Sequence, residues 1–160
     1  YRREFRLPGI NVYTAGLLHD IGIVIENQFL PEEFSKLIKK SVETKQCLYY
    51  AEDMVLGFNH TIVGFKLAEN WNFPTDLCHA IAFHHTPDNR TINDTKMVST
   101  IFIADRLAQM NKFGFCDENR AEDEIFKRTL LRLNITKSAL DLLTETVLEE
   151  LKKMEASGIF

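Results

Sequence analysis

The part of the chain that best reveals its fold is residues 60–87, which read HTIVGFKLAENWNFPTDLCHAIAFHHTP. Apolar residues in this stretch recur at spacings of three and four, which is the period of an amphipathic helix. Pro74 begins a second helix there, and Pro87 lies just beyond its end. The pattern therefore predicts two helices, over residues 59–71 and 75–85, joined by a short loop.

The rest of the chain has the same helical period, and the alternation typical of β-strands is missing. Further helices are predicted over residues 11–22, 31–42, 48–56, 95–111, 118–133 and 137–156. Residues 23–29 are rich in β-branched side chains, so a short strand is an alternative there, but a continued helix is favoured. Gly22 is expected to end the first helix, because glycine tolerates the left-handed conformation found at helix ends. The prediction is an all-α fold of seven to nine helices.

The composition of the chain is that of one globular domain. Of its 160 residues, 45% are hydrophobic and 26% are charged, and this balance excludes a disordered or fibrous protein. A chain of this length buries roughly 70% of the surface of its unfolded form, so its core needs no metal or disulfide for stability. The net charge of −4 argues against a nucleic-acid surface spread over the whole chain.

Three features of the sequence predict a cytoplasmic location. The chain contains no apolar run of the ~20 residues that a membrane span needs, and no signal peptide opens it. Its three cysteines, Cys47, Cys78 and Cys116, are odd in number and lack the CxxC spacing of many zinc sites. We therefore expect reduced thiols, which are typical of the cytosol. The chain begins at Tyr1 instead of Met, so we expect it to be part of a longer protein.

Histidine and aspartate side chains interrupt the apolar faces of four predicted helices. Residues spaced by three, four and seven share one face of a helix. On the helix over residues 95–111, Asp105 lies in line with Val98 and Ile101. A buried, unpaired carboxylate there would cost several kcal/mol, so it needs a cation or a proton.

The same pattern recurs on three further helices. On the helix over residues 59–71, the apolar stripe, meaning the line of apolar residues along one face, includes Leu67 and Trp71 and extends back to His60. His79, by contrast, lies off the apolar stripe of its own helix and has no assigned role. The residues that end or interrupt the four stripes are His19, Asp20, His60, His84, His85 and Asp105. A single histidine of this kind is more often a satisfied core or boundary residue than part of a site, whereas a single aspartate is as often a buried cap as part of a site.

Six such residues from four helices are harder to explain as separate core residues. Gathered in one interior, they would supply four imidazoles and two carboxylates. Mixed nitrogen and oxygen ligation of this kind suits Mn, Fe, Ni or Zn, and the lack of thiolates argues against a structural zinc site. We expect one or two divalent ions, because two ions a few ångströms apart can activate a water molecule for phosphoryl transfer.

Three stretches of the chain resemble a known superfamily. Residues 15–22, AGLLHDIG, resemble the HD signature of HD-domain metal-dependent phosphohydrolases. Residues 60–74 and 80–87 resemble, more narrowly, the HDOD domain, the HD-related output domain of bacterial signal transduction. The resemblance covers roughly residues 12–147 and implies an HD-domain-like helical bundle.

The resemblance implies metal-ligand roles for the same six residues, with Asp20 as the catalytic residue of an active enzyme. Relatives that hydrolyse cyclic di-GMP have a lysine after the HDIG motif and a later Gly-Tyr-Pro motif, whereas this chain has Ile23 and no such motif. The further His or Glu that HD phosphohydrolases carry upstream of the HD pair would precede this chain. We therefore predict one HDOD-like domain over residues 1–160, a fragment without the upstream helices, with residues 118–156 as a C-terminal helical extension.

Three functions are consistent with these residues. The favoured prediction is a bacterial signalling module with a residual metal site, which acts through other signalling domains on the same or a partner chain. The second is an active metal-dependent phosphohydrolase or cyclic dinucleotide phosphodiesterase, which would take a nucleotide or phosphate ligand. The third is a structural interaction domain in which the six residues form a hydrogen-bonded relic.

Other partners follow from the charge and the helix pattern. We expect no membrane role and no nucleic-acid partner. The helix over residues 137–156 has leucines and a valine on one face, so it is a candidate for contacts in a homodimer, although packing on its own domain is the commoner fate of such a helix.

Overall fold

The computed structural model describes residues 9–90, 92, 95–113 and 121–158 of the chain. The described residues form helices and turns without a strand, which confirms the all-α prediction. The helices are α1 (Gly9–Leu18), α2 (Ile21–Phe29), α3 (Pro31–Thr44), α4 (Leu48–Val55), α5 (His60–Asn70), α6 (Thr75–Phe83), α7 (Lys96–Met110), α8 (Ala121–Arg132) and α9 (Lys137–Ala156).

Gly22 has a different role from the one predicted. Residues 23–29 are helical, as favoured, but α1 already ends at Leu18 and Gly22 lies inside α2. The predicted helix end at Gly22 is therefore wrong. A Cβ atom at this position would lie 1.9 Å from the backbone oxygen of His60, so glycine is needed for α2 to contact the start of α5.

Gly64 allows a second close contact between helices. A Cβ atom on Gly64 would lie 2.8 Å from Cγ2 of Ile81 and 3.2 Å from Cγ2 of Ile21. Helix α5 consequently packs tightly against both α2 and α6. This packing brings the turn before α2, the first residue of α5 and the turn after α6 close together.

Two hydrophobic clusters hold the helices in this arrangement. The first lies between α1, α5, α6 and α7 and comprises Ala15, Ala68, Leu77, Cys78, Ala80, Ile81, Met97 and Ile101. The second joins α7 to the end of α8 and the start of α9 and comprises Phe102, Ile103, Leu133 and Leu140. Because α7 contributes to both clusters, it connects the part of the core formed with α1, α5 and α6 to the part formed with α8 and α9.

Most other helix predictions agree with the structure to within two residues at each end. Trp71, predicted to continue the apolar stripe of α5, is instead 56% exposed, because α5 ends at Asn70 and the Trp71 ring packs on Phe73.

The predicted start of α8 over 118–120 lies outside the described residues, as does Cys116. The single domain over 1–160 and the extension over 118–156 stay predictions.

Helix α9 has the predicted bounds. The Thr136 side chain caps its N-terminus by accepting a hydrogen bond from the backbone N–H of Ala139 at 3.2 Å. In the described part of the chain, no helix combines the length and the apolar character needed to cross a bilayer.

Candidate metal centre

His60 is held by two hydrogen bonds to one carboxylate oxygen. It is the first residue of α5 and is 1% exposed. Its Nδ1 donates to Oε2 of Glu52 at 2.7 Å, and its backbone N–H donates to the same oxygen at 2.8 Å. With Nδ1 engaged in this way, the Nε2 atom of His60 is the one available to a metal or a second proton.

His84 and His19 are oriented in the same manner by backbone carbonyls. The Nδ1 atom of His84 donates to the carbonyl oxygen of Ile81 at 2.9 Å, and that of His19 donates to the carbonyl oxygen of Gly16 at 2.8 Å. These acceptors lie in the last turns of α6 and α1, where helix carbonyls lack intrahelical partners. In the neutral form of either imidazole, Nε2 is therefore the nitrogen without a proton.

The Nε2 atoms of three histidines meet at one point. That of His60 lies 3.3 Å from Nε2 of His84 and 3.2 Å from Nε2 of His85. Two unprotonated nitrogens at such distances repel each other, so at least one of them must carry a proton or bind a cation. A proton on His60 or a metal ion would each satisfy this requirement.

Asp20 lies in the short turn between α1 and α2 and faces the same point. Its Oδ1 is 3.3 Å from Nε2 of both His60 and His84, and its Oδ2 is 3.3 Å from Nε2 of His19. Burial on its own would raise the pKa of Asp20, but the three histidine rings in contact with the carboxylate, which donate to it when they are protonated, outweigh this effect and hold the pKa far below the usual range. The Asp20 carboxylate is therefore ionised at any physiological pH.

His19 and Asp105 complete the cluster at one side. Nε2 of His19 lies 4.0 Å from Oδ1 of Asp105, and Oδ2 of Asp105 accepts a hydrogen bond from Gln109 at 2.8 Å. Nε2 of His19 is buried and has no hydrogen-bond donor among the described residues. The structure thus brings all six sequence-predicted residues together, with His19 and Asp105 farther from the centre than the other four.

The four central residues fit a metal ion. One ligand atom from each of Asp20, His60, His84 and His85 lies within 4.8 Å of the other three. Three imidazoles and one carboxylate give four mixed nitrogen and oxygen donors, a set that zinc, iron, manganese and nickel accept. The fixed Nδ1 atoms of His60 and His84 match the usual arrangement of metal-ligating histidines, in which the other ring nitrogen donates to a carboxylate or carbonyl.

The protonation of the histidines differs across the cluster. Burial lowers the pKa of His60, but Asp20 and Glu52 outweigh this effect and raise its pKa to about 9. Burial lowers the pKa values of His84 and His85, and the charge of their histidine neighbours lowers them further. Burial also lowers the pKa of His19, but Asp20 outweighs this effect and raises it. In the absence of metal, an imidazolium is therefore expected at His60 near neutral pH.

A cavity of about 450 Å³ opens onto the cluster. Asp20, His60 and His85 lie on its polar side, together with Asp105. The other walls are mainly apolar and are formed by Ile23, Val24, Phe34, Ile38, Cys47, Leu48, Tyr49 and Phe113, with Asn27 and Gln109 between them. A cavity of this size is large enough for a small organic ligand to reach the centre.

The sequence analysis missed Glu52, which orients His60. Glu52 is fully buried in α4 and shares the buried face of that helix with Leu48 and Ala51. It therefore interrupts an apolar stripe in the same way as the predicted residues do. The signal that marks the six predicted residues, a polar residue within an apolar stripe, is thus also present at Glu52. The same signal is present at the buried Glu26 in α2.

The fold resembles three solved structures. An HDOD domain protein with unknown function from Geobacter sulfurreducens has a TM-score of 0.77 and 28% identity over 92% of this chain and 54% of that one. A protein from Marinobacter aquaeolei VT8, considered a signal transduction protein, has a TM-score of 0.69 and 19% identity over 92% of this chain and 31% of that one. One from Shewanella amazonensis SB2B, considered a phosphohydrolase, has a TM-score of 0.61 and 21% identity over 90% and 50% of the respective chains.

Sequence similarity points to one family. A protein of Treponema pallidum (strain Nichols), described as uncharacterized, is 28% identical over 92 residues, which are 58% of this chain and 18% of that protein. The chain thus spans about a fifth of that relative and about half of the Geobacter protein. Residues 5–87, which include five of the six cluster residues, match the family model of the HDOD domain. Since this match covers more than half of the sequence, the chain belongs to the HDOD domain family.

Proposed function

We propose that this chain is the regulatory HDOD module of a bacterial, cytoplasmic signalling protein and that its His/Asp cluster binds a divalent metal ion. The observation that carries the metal site is the convergence of three histidine Nε2 atoms and the Asp20 carboxylate on one point. The signalling role is supported by the family and by the fold shared with the Marinobacter protein considered a signal transduction protein.

In this proposal, His60, His84, His85 and Asp20 hold the ion, and their surroundings are arranged for that task. Glu52 and the carbonyl of Ile81 fix two of the rings, so that their Nε2 atoms need no rearrangement on binding. The bound ion supplies a fixed positive charge at the end of the cavity. A ligand with an oxygen donor at one end and an apolar body would fit this combination.

Other signalling domains are the proposed partners of the module. The relatives are longer than this chain, which spans 54% of the Geobacter protein and 31% of the Marinobacter protein. Regulation would then pass between the metal centre and these further domains, on the same chain or on a partner chain. A second copy of the chain is a further proposed partner.

The metal content of the protein purified without added metal tests the proposal. We expect close to one bound divalent ion per chain by elemental analysis, and its loss in Asp20→Ala, which removes the carboxylate that contacts three histidines. His79→Ala is the matched control, because His79 lies on α6 beside Phe83 and outside the cluster. A wild-type protein that takes up no divalent metal, even when it is supplied, would refute the metal site.

A second candidate function is phosphohydrolase activity. One observation favours it: the two oxygens of Asp20 face different histidines, Oδ1 towards His60 and His84 and Oδ2 towards His19. A carboxylate in this position can bridge two ions, with His19 and Asp105 as ligands of the second. The Shewanella protein of the same fold is considered a phosphohydrolase.

Two measurements separate the two candidates. Two ions per chain, together with hydrolysis of a phosphomonoester or cyclic dinucleotide that Asp20→Ala abolishes and His79→Ala retains, would favour the enzyme. One ion per chain without turnover of either compound would favour the regulatory module. A cluster that is only a relic would bind no ion at all.

A further inference from the structure

The turn directly after α6 carries two of the candidate metal ligands. His84 and His85 follow the last residue of α6, and the backbone N–H of Thr86 donates to the carbonyl oxygen of Phe83 at 2.8 Å. The next residue, Pro87, is fully buried. Because only Thr86 separates Pro87 from His85, the position of Pro87 affects where the two histidine rings lie.

Arg132, the last residue of α8, contacts this turn from the other side. Its Nη1 donates to the carbonyl oxygen of Pro87 at 2.8 Å, and its Nη2 donates to Oδ1 of Asp88. Nη1 also lies 3.4 Å from Oγ of Ser99, which is fully buried in α7. A planar guanidinium carries several N–H donors in fixed directions, so this one side chain joins the turn, α7 and α8.

Asp88 binds two arginines of α8. Its Oδ2 accepts a hydrogen bond from Nη2 of Arg128 at 2.6 Å, and Arg128 lies one helical turn before Arg132. The side chains of Asp88 and Arg132 are 33% and 34% exposed, so water screens this pair less than a pair on the open surface. The contact thus fixes the end of α8 against the turn.

The rest of α8 reaches the domain through α7. Leu133, the residue after Arg132, packs with Phe102 and Ile103 of α7 in the second hydrophobic cluster. Arg132 therefore lies where the apolar contact with α7 and the polar contact with the turn meet. Asp88 and both arginines follow residues 5–87, so the contact involves residues outside the family match.

We propose that Arg132 is a positioning residue of the metal centre: it holds the turn that carries His84 and His85 and thereby couples α8 to the centre. A bound ion requires the same positions of the two rings that Arg132 stabilises. Metal binding and the docking of α8 then stabilise each other to an equal extent, because coupling between two sites is reciprocal. The part that concerns metal affinity rests on the proposed metal site, whereas the placement of the rings does not.

The metal affinity of Arg132→Met tests the coupling. Methionine keeps an unbranched side chain but removes all the donors, so we expect Zn²⁺ to bind about 5–20-fold more weakly, at the lower end of usual couplings between sites. Competition with a chelator measures the affinity on the full chain at pH 7. Lys127→Met is the control, since it removes the same charge from an exposed residue of α8 that pairs with Glu124. Equal affinities of Arg132→Met and wild type would overturn the proposal.

Asp88→Asn breaks the same contact from the side of the turn and keeps the size of the side chain. It should also weaken Zn²⁺ binding. Combined with Arg132→Met it should add little further loss, because both changes remove one contact. An unchanged affinity in Asp88→Asn, or losses that multiply in the double variant, would overturn the proposal.

NMR of the metal-free protein tests the placement of the rings independently. The ring C–H signals of His84 and His85 should move in Arg132→Met and in Asp88→Asn, and those of His79, which lies on α6 outside the cluster, should not. Unmoved signals of His84 and His85 would overturn the proposal whether or not metal binds. Moved signals in a protein that takes up no metal would support the positioning role and refute the metal site instead. Asp88→Asn decides the inference even if Arg132→Met does not fold.

Discussion

At the scale of single residues, His60 has two competing partners for its Nε2 atom, a proton and a metal ion. Its pKa is raised to about 9 because Asp20 and Glu52 flank the ring and outweigh the effect of burial. Below that pH a metal ion has to displace a proton from His60. Above it the nitrogen is already free. Because the pKa values of His84 and His85 are lowered, neither imposes a similar requirement near neutral pH.

The metal affinity should therefore increase with pH. One displaced proton corresponds to an increase of about tenfold per pH unit, and this slope should persist from about pH 6.5 until the affinity levels off near the pKa of His60. Chelator competition at a series of pH values measures the slope, and the protons released at pH 7 can be counted by calorimetry in two buffers. His79→Ala should have the same slope as wild type. An affinity that does not change between pH 7 and pH 8 would contradict the assignment of this proton.

The sequence predicts the cluster residues because each interrupts an apolar stripe, and this is a property of one helix at a time. It does not predict which atoms meet. The 3.3 Å separation of the His60 and His84 Nε2 atoms depends on the crossing of α5 and α6, which periodicity does not specify. Nor does it predict that His19 and Asp105 lie farther from the centre, because that depends on the packing of α1 against α7.

At the scale of secondary-structure elements, the position of α2 depends on Gly22, a residue without a side chain. Gly22 allows α2 to contact the backbone of His60, and Asp20 lies two residues before it. The Asp20 carboxylate therefore reaches His60 only because the two helices are so close. A side chain at position 22 would meet backbone atoms, which cannot rotate away as the end of a side chain can.

Gly22→Ala should separate α2 from α5 and destabilise the protein. We expect a loss of about 1–3 kcal/mol or more, as for overpacked cores, together with weaker metal binding. Gly16→Ala is the matched control, since Gly16 lies in α1 with open space around its Cα, and alanine there should stabilise the helix by about 0.5–1 kcal/mol. Urea unfolding measures both changes. Equal stability of the two variants would show that α2 and α5 do not approach as closely as described.

The helices themselves are well predicted where proline and composition mark their ends. Pro31 is the first residue of α3, Pro74 directly precedes α6, and α9 has the predicted bounds. The break between α1 and α2 is not predicted, because the turn at His19 and Asp20 contains neither proline nor glycine. Gly22 was misassigned for a related reason: glycine is required both at helix ends and at close contacts, and only the tertiary structure distinguishes the two.

At the scale of the whole molecule, the candidate metal ligands come from separate elements. Asp20 lies between α1 and α2, His60 begins α5, and His84 and His85 follow α6. An ion bound to all four residues would link segments that are 65 positions apart in the sequence, the separation of Asp20 and His85. The unfolded chain offers no comparable site, so the free energy of metal binding adds to the free energy of folding.

Bound metal should therefore raise the melting temperature of the whole domain. At a free-ion concentration of 100 times Kd, the linkage relation gives about 2.7 kcal/mol of stabilisation, which corresponds to about 5–10 °C for a domain of this size. Differential scanning calorimetry with and without Zn²⁺ or Mn²⁺ measures the shift, and a chelator should reverse it. His79→Ala should retain the full shift, and Asp20→Ala should lose it. If wild type binds the ion and its melting temperature stays the same, the ion does not join these elements, and the ligands must be residues that are also close together in the unfolded chain.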